Sequence, residues 1–221
     1  MPTMLENTGA HPILANTNEP LLPSSWRREG DIATVLGALV HWFSATEYEL
    51  LAKTGVLHED SHLELIEGRI IDMAPIGSSH ASCVKRTLAT FVTMFQHRAI
   101  VSVQDPVQLD AYSEPQPDLM LLQPRDDFYA QHHPTPDDVL LLLEIADTSL
   151  EYDRDIKIPL YARHAIQEVW LLNLRERNMV VYRSPAPDGY EEMLTRRGQQ
   201  HVSPVTFPNV TISIAHMFGN E

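Results

Sequence analysis

The stretch VLLLLEIA, Val139 to Ala146, constrains the fold more than any other part of the chain. It is far shorter than the roughly 20 apolar residues a bilayer span needs. It is also too continuous for a strand with one face in water, and it reads as a strand in the middle of a sheet covered on both faces. The exception within it is Glu144. Burying a carboxylate costs several kcal/mol unless it is paired or binds a metal. Two readings follow from the residue alone: an ion pair with one of the 13 arginines, or a functional site.

The flanking sequence supplies the rest of an α/β (α+β) plan. Ser44-Ala45-Thr46-Glu47 has capping-box spacing and opens a helix that Gly55 can stop. His62 to Ala74 alternates around Glu67-Gly68 and predicts a β-hairpin. A long helix is expected from a Ser78 or Ser79 cap to about Arg98, with Val84, Leu88, Phe91, Val92 and Phe95 on its apolar face. Strands are expected over 100–109 and 118–122, with a loop over 124–136. Proline is tolerated in a first helical turn but not deep in a helix, so Pro159 places a helix start near Asp155 or Ile156, with Lys157 in the first turn. Further strands are expected over 168–174, 178–183, 190–195 and 210–214. The plan is a mixed sheet flanked by helices. Residues 1–43 read as an extension and 44–221 as one domain.

Composition narrows the function. The net charge of -14 opposes broad binding to nucleic acid through phosphate neutralisation, but leaves room for a local basic groove and bound metal ions. Cys83 is the only cysteine, so an intramolecular disulfide and a thiolate zinc cluster are both excluded. That fits a reducing cytoplasm. The N-terminus lacks the basic and apolar regions of a secretory signal.

HEDSH, His58 to His62, has the spacing of a zinc peptidase motif, with Glu59 as base. Such histidines must share one helix face. Here Gly55 breaks the preceding helix and Leu63 opens a strand, so a polar turn is expected instead.

Three other acids sit at strand positions: Glu64, Asp118 directly after Pro117, and Glu144. Two acids at adjacent strand ends suit Mg²⁺, which takes oxygen ligands and keeps several waters. Lys157 could point back over the strand end, or could form an exposed pair with Asp153 worth at most about 1 kcal/mol.

Taken together, ELIEG (Glu64 to Gly68), MAPIGSSHA (Met73 to Ala81), EPQPDL (Glu114 to Leu119), LLEIADTSLEYDRDIKIPLYA (Leu142 to Ala162) and QEVWLLNL (Gln167 to Leu174) resemble the Uma family, bacterial proteins described as restriction endonucleases. The resemblance runs from about Thr46 to Arg183. It implies a PD-(D/E)XK nuclease-like fold and metal-dependent hydrolysis of DNA with Mg²⁺ or Mn²⁺. It implies that Asp118 is the aspartate of the PD motif, that Glu144 is the acid of the (D/E)XK half-motif, and that Glu64 completes the site, holding a second metal or a metal-bound water. Ala146 stands where the usual lysine would be, and the resemblance implies that Lys157 replaces it from the next helix. The Ile145 carbonyl is expected as an extra metal ligand. His80, Asp147, Ser149, Asp153 and Tyr161 are expected as accessory residues. Gln116 and Ala165 depart from the pattern. A homodimer is expected because duplex cleavage needs two sites. The alternatives are a non-catalytic binding module of the same fold and the zinc hydrolase.

Overall fold

A computed structural model of the chain describes residues 41–58 and 62–219. Nearly all of the expected N-terminal extension therefore lies outside the described residues, as does Glu59. Helix α1 (Ala45–Lys53) starts as expected, since Ser44 and Glu47 form a reciprocal capping box. The hairpin β1 (Leu63–Ile66) and β2 (Arg69–Asp72) turns at Glu67 and Gly68, both with positive φ. A Cβ on Gly68 would also come within 2.7 Å of Trp42 Cβ, so glycine is required there twice over.

Helix α2 (Ser78–Phe95) begins one residue before the expected caps are used. Gly77 is the N-cap and makes no side-chain cap bond, while Ser78 lies inside the helix. Its apolar face buries Cys83, Val84, Phe91 and Phe95, but Val92 is exposed, contrary to expectation. The helix stops at Phe95, short of Arg98, because Gln96 leaves helical geometry.

Among the described residues the main sheet has six strands in the order β3 (Ile100–Val103), β4 (Leu119–Leu122), β5 (Val139–Ala146), β6 (Glu168–Asn173), β7 (Asn178–Ala186) and β8 (Gly189–Arg197). Only β5 and β6 run parallel. Strand β3 ends at Val103 and does not reach Leu109, because Gln104 turns to φ 53 and donates its N–H to the Asp118 carbonyl at 3.1 Å. A small second pair, β9 (His201–Val202) with β10 (Ile212–Ser213), and helix α4 (Ile214–Met217) close the chain. The strand expected over 210–214 is thus reduced to two residues.

Strand β5 is buried on both faces as its sequence demands. Leu141, Leu143 and Ile145 pack against α2, whereas Leu142 and Ala146 pack against the helical segment that follows. That segment, α3, runs in three pieces: Leu150–Tyr152, a π-helical turn Asp153–Lys157, and Ile158–Arg163. It starts well before the expected Asp155. Pro159 is accommodated because the wide turn has already departed from α geometry: the Ile158 N–H reaches back five residues to the Asp153 carbonyl. Proline therefore marks the bulge and not the helix start.

Candidate active site

Strand periodicity decides where Glu144 points. Its neighbours Leu142 and Ala146 face α3, so Glu144 faces α3 as well. Opposite lies Lys157, on the π-helical turn. Its ammonium donates to Glu64 Oε1 at 2.9 Å and lies 2.7 Å from Glu144 Oε1. All three side chains are at most 3% exposed. The partner of Glu144 is thus a lysine, not one of the arginines, and the pair is buried, not the exposed Asp153 pair considered from sequence.

Asp118 immediately precedes β4 and sits beside Glu144, because β4 pairs with β5 in the register Leu119 to Leu143. The Ile145 N–H donates to Asp118 Oδ2 at 2.8 Å. His80, from the first turn of α2, holds the same oxygen with Nε2 at 2.9 Å. The other His80 nitrogen is buried and has no hydrogen-bond partner among the described residues. Tyr161 donates its hydroxyl to Glu144 Oε1 at 2.6 Å, and Ser149 donates to the buried Asp153 at 2.6 Å. Glu64, His80, Asp118, Glu144, Ile145, Asp147, Ser149, Asp153 and Lys157 therefore converge on one cleft of about 370 Å³, which Tyr161 reaches through Glu144; His58 does not line it.

Sequence reasoning passed over three contributors. Tyr152 extends its hydroxyl toward Glu64 Oε2 at 3.4 Å. Gln116, noted only as a departure, donates its backbone N–H to Glu64 Oε1 at 2.9 Å. Gln104 approaches Asp118 Oδ1 at 3.4 Å. A backbone donor and a residue in a bend leave no mark in a sequence. Nor does Tyr152, which stands five residues before Lys157, a spacing that a regular α-helix would set about 140° apart.

The electrostatics are unbalanced. Burial drives the Glu144 carboxyl up to about 8, and Asp153, Asp118 and Glu64 add to this against the opposing pull of Lys157. Burial alone would lower Lys157, but Glu144 and Glu64 hold it well above its usual range, so it remains an ammonium. Burial also opposes the charged form of His80, yet its bond to Asp118 and the nearby acids keep its pKa raised. Five acids, Glu64, Asp118, Glu144, Asp147 and Asp153, line a cleft that also holds one lysine and two histidines, His62 and His80.

That donor set fits a hard divalent cation. Asp118 Oδ1 and Glu144 Oε2 have only 3.4 Å contacts, whereas the other two oxygens of the pair are firmly bonded. Glu64 is differently placed, with Oε1 held by Lys157 and the Gln116 N–H. Among the described residues no three His, Cys, Asp or Glu side chains enclose a metal unaided, so water would complete the shell. The zinc reading has no support in the fold. α1 ends at Lys53, His58 is exposed, and His62 directly precedes a strand, so the two histidines do not share a helix.

No curated protein matches the chain. Its fold is similar to that of a solved structure from Anabaena variabilis, titled a putative nuclease belonging to DUF820, with TM-score 0.62 and 17% sequence identity, over 80% of this chain and 97% of that one. Residues 45–215 match the Uma2 family, described as "Putative restriction endonuclease". With the match spanning every strand of the main sheet and every residue at the floor of the cleft, the chain belongs to the Uma2 family.

Proposed function

We propose that the cleft hydrolyses phosphodiester bonds in DNA with a divalent metal, Mg²⁺ or Mn²⁺, held by Asp118 and Glu144 and the Ile145 carbonyl. The observation that carries this reading is Lys157, a buried ammonium set between Glu64 and Glu144 at the floor of an acid-rich cleft. When bound, the metal would lower the pKa of a water and offset charge on the phosphoryl oxygens. The protein's own residues do the positioning. Tyr161 and Lys157 hold Glu144 by Oε1, so Oε2 would be the oxygen left to hold a cation. The Ile145 N–H and His80 fix Asp118 in the same way. Lys157 orients the attacking water or neutralises the scissile phosphate. Glu64 keeps that ammonium in place. The reading extends to a cytoplasmic homodimer, because cutting both strands of a duplex needs two sites.

The test is cleavage of supercoiled plasmid and single-stranded DNA with Mg²⁺ or Mn²⁺, comparing wild type, Glu144→Gln and Lys157→Ala. Thermal unfolding must be recorded for each protein. Cutting that requires metal and is lost in both folded variants supports the reading. Equal cutting by all three proteins refutes the assignment. A folded wild type that binds metal but cuts nothing favours a non-catalytic module, in which the Lys157 ion pairs serve structure alone.

A further inference from the structure

We infer a second site on this chain: a subsite for a backbone phosphate of the DNA strand, beside the cleft and separate from its acids. It rests on the nuclease reading for the identity of its ligand. The site is a cavity of about 380 Å³ lined by Ser78, Ser79, Ser82, Arg86 and Arg177. Its chemistry is the reverse of the cleft's, since among the described residues it contains two guanidiniums and three hydroxyls and no acid. In a chain of net charge -14 this local reversal stands out.

Both arginines are available to a ligand. Arg86 is half-buried and donates to the Met217 carbonyl at 3.2 Å and to Ser82 Oγ at 2.6 Å. Arg177 donates to the Phe218 carbonyl at 3.0 Å and lies over the Phe218 ring. Neither forms an ion pair among the described residues, whereas the nearby Arg175 and Arg197 pair with Asp147 and Glu176. Carbonyls and a hydroxyl orient the two guanidiniums without neutralising them, and each retains N–H groups for an anion. The first turn of α2 adds to this. Its N-cap Gly77 supplies no side-chain acceptor and its first turn carries no acid, so its leading N–H groups are free to face an anion.

The position fits a strand continuing out of the cleft. Gly77 and His80 line the cleft, while Ser78 and Ser79, between them in sequence, line the cavity. The two spaces open on either side of one helical turn. Arg86 lies six residues along α2 from His80, a rise of about 9 Å. At roughly 3.4 Å of axis per nucleotide, that separation corresponds to a phosphate two or three positions from the scissile bond.

The experiment measures the affinity of the full chain for a short labelled DNA, single-stranded and duplex, in EDTA across a salt series. Wild type is compared with Arg86→Gln/Arg177→Gln and with Ser79→Asp. The double variant is expected to bind about tenfold more weakly. For each phosphate no longer neutralised, the slope of log K against log salt should also flatten, by about 0.7 for single strands and about 0.9 for duplex. Ser79→Asp separates function from folding. An acid at a helix N-terminus stabilises the helix, so melting holds or rises while DNA affinity falls. Unchanged affinity and slope in both variants, with wild type binding and cutting DNA, overturns the subsite and leaves the nuclease reading standing. Weakened binding in both variants, with no protein cutting, keeps the subsite and removes the nuclease. A wild type that neither binds nor cuts DNA overturns both.

Discussion

Replacing Lys157 by methionine should destabilise the fold sharply, even though the two side chains are similar in size. The ammonium is 2% exposed and lies 2.9 and 2.7 Å from two carboxylates that are equally buried. At an effective dielectric of about 20, each contact is worth about 6 kcal/mol of gross attraction, most of which offsets the desolvation of the three groups. Removing the cation leaves that desolvation cost uncompensated for two acids, which destabilises the fold by about 3–5 kcal/mol. For a domain of this size each kcal/mol lowers the melting temperature by about 2–4 °C, so a fall of about 6–20 °C is expected. Burial already raises the Glu144 carboxyl to about 8, so without Lys157 that residue should become neutral first. An acid whose folded pKa is raised loses stability as pH rises through the interval from its unfolded to its folded value. The deficit of Lys157→Met should therefore narrow as pH falls from about 9 to about 7, and Glu64→Gln in the same background should recover about half of it. Urea unfolding at both pH values tests this. A deficit under about 1 kcal/mol, or one indifferent to pH, would refute the account of three buried charges.

Three further outcomes are expected. Glu168 is 1% exposed and accepts from Trp170 at 2.9 Å, from Arg183 at 2.7 Å and from the Val205 N–H at 2.6 Å; because Arg183 is partly solvated, Glu168→Ala should cost about 3 kcal/mol in urea unfolding. His164 is held by Asp110 at 3.1 Å, and although burial alone would lower its pKa, this bond raises it above 6.5. That contribution to stability is full below about pH 6.5 and is lost as pH rises through the raised value, so His164→Gln should flatten the melting temperature between about pH 5.5 and pH 8. Cys83 is fully buried and burial pushes its thiol up to about 11, so it should resist a thiol reagent until the chain unfolds; prompt labelling of the native protein would contradict its packing beneath Met217.

What could be read in the sequence was whatever a side chain declares by itself. An uninterrupted apolar run placed β5, and the glycine at 68 placed the first hairpin. A carboxylate among leucines announced a site before its partner was known. Backbone decisions were hidden. Nothing about a glutamine at 104 indicates that the chain turns there, and the expected strand over 100–109 was accordingly too long. Proline at 159 was read by its prohibition inside an α-helix, but a π-helical turn evades that prohibition. Of the cleft, Glu64, Asp118 and Glu144 were legible as acids at strand positions. The hydrogen bonds that orient them were not, because Gln116 contributes its backbone and Tyr152 its distance along a helix of irregular pitch.

That irregular pitch also limits how the chain can be altered. In a regular α-helix, residues five apart lie about 140° from each other around the axis. Tyr152 and Lys157 nevertheless reach the same glutamate. Winding 153–157 as a regular α-helix with every residue kept would strengthen the segment as an isolated helix. It would also set Tyr152 about 140° around the axis from Lys157. Local helix strength and the assembled site therefore oppose each other across this one turn, so redesign that rewards ideal helices would select against function here first.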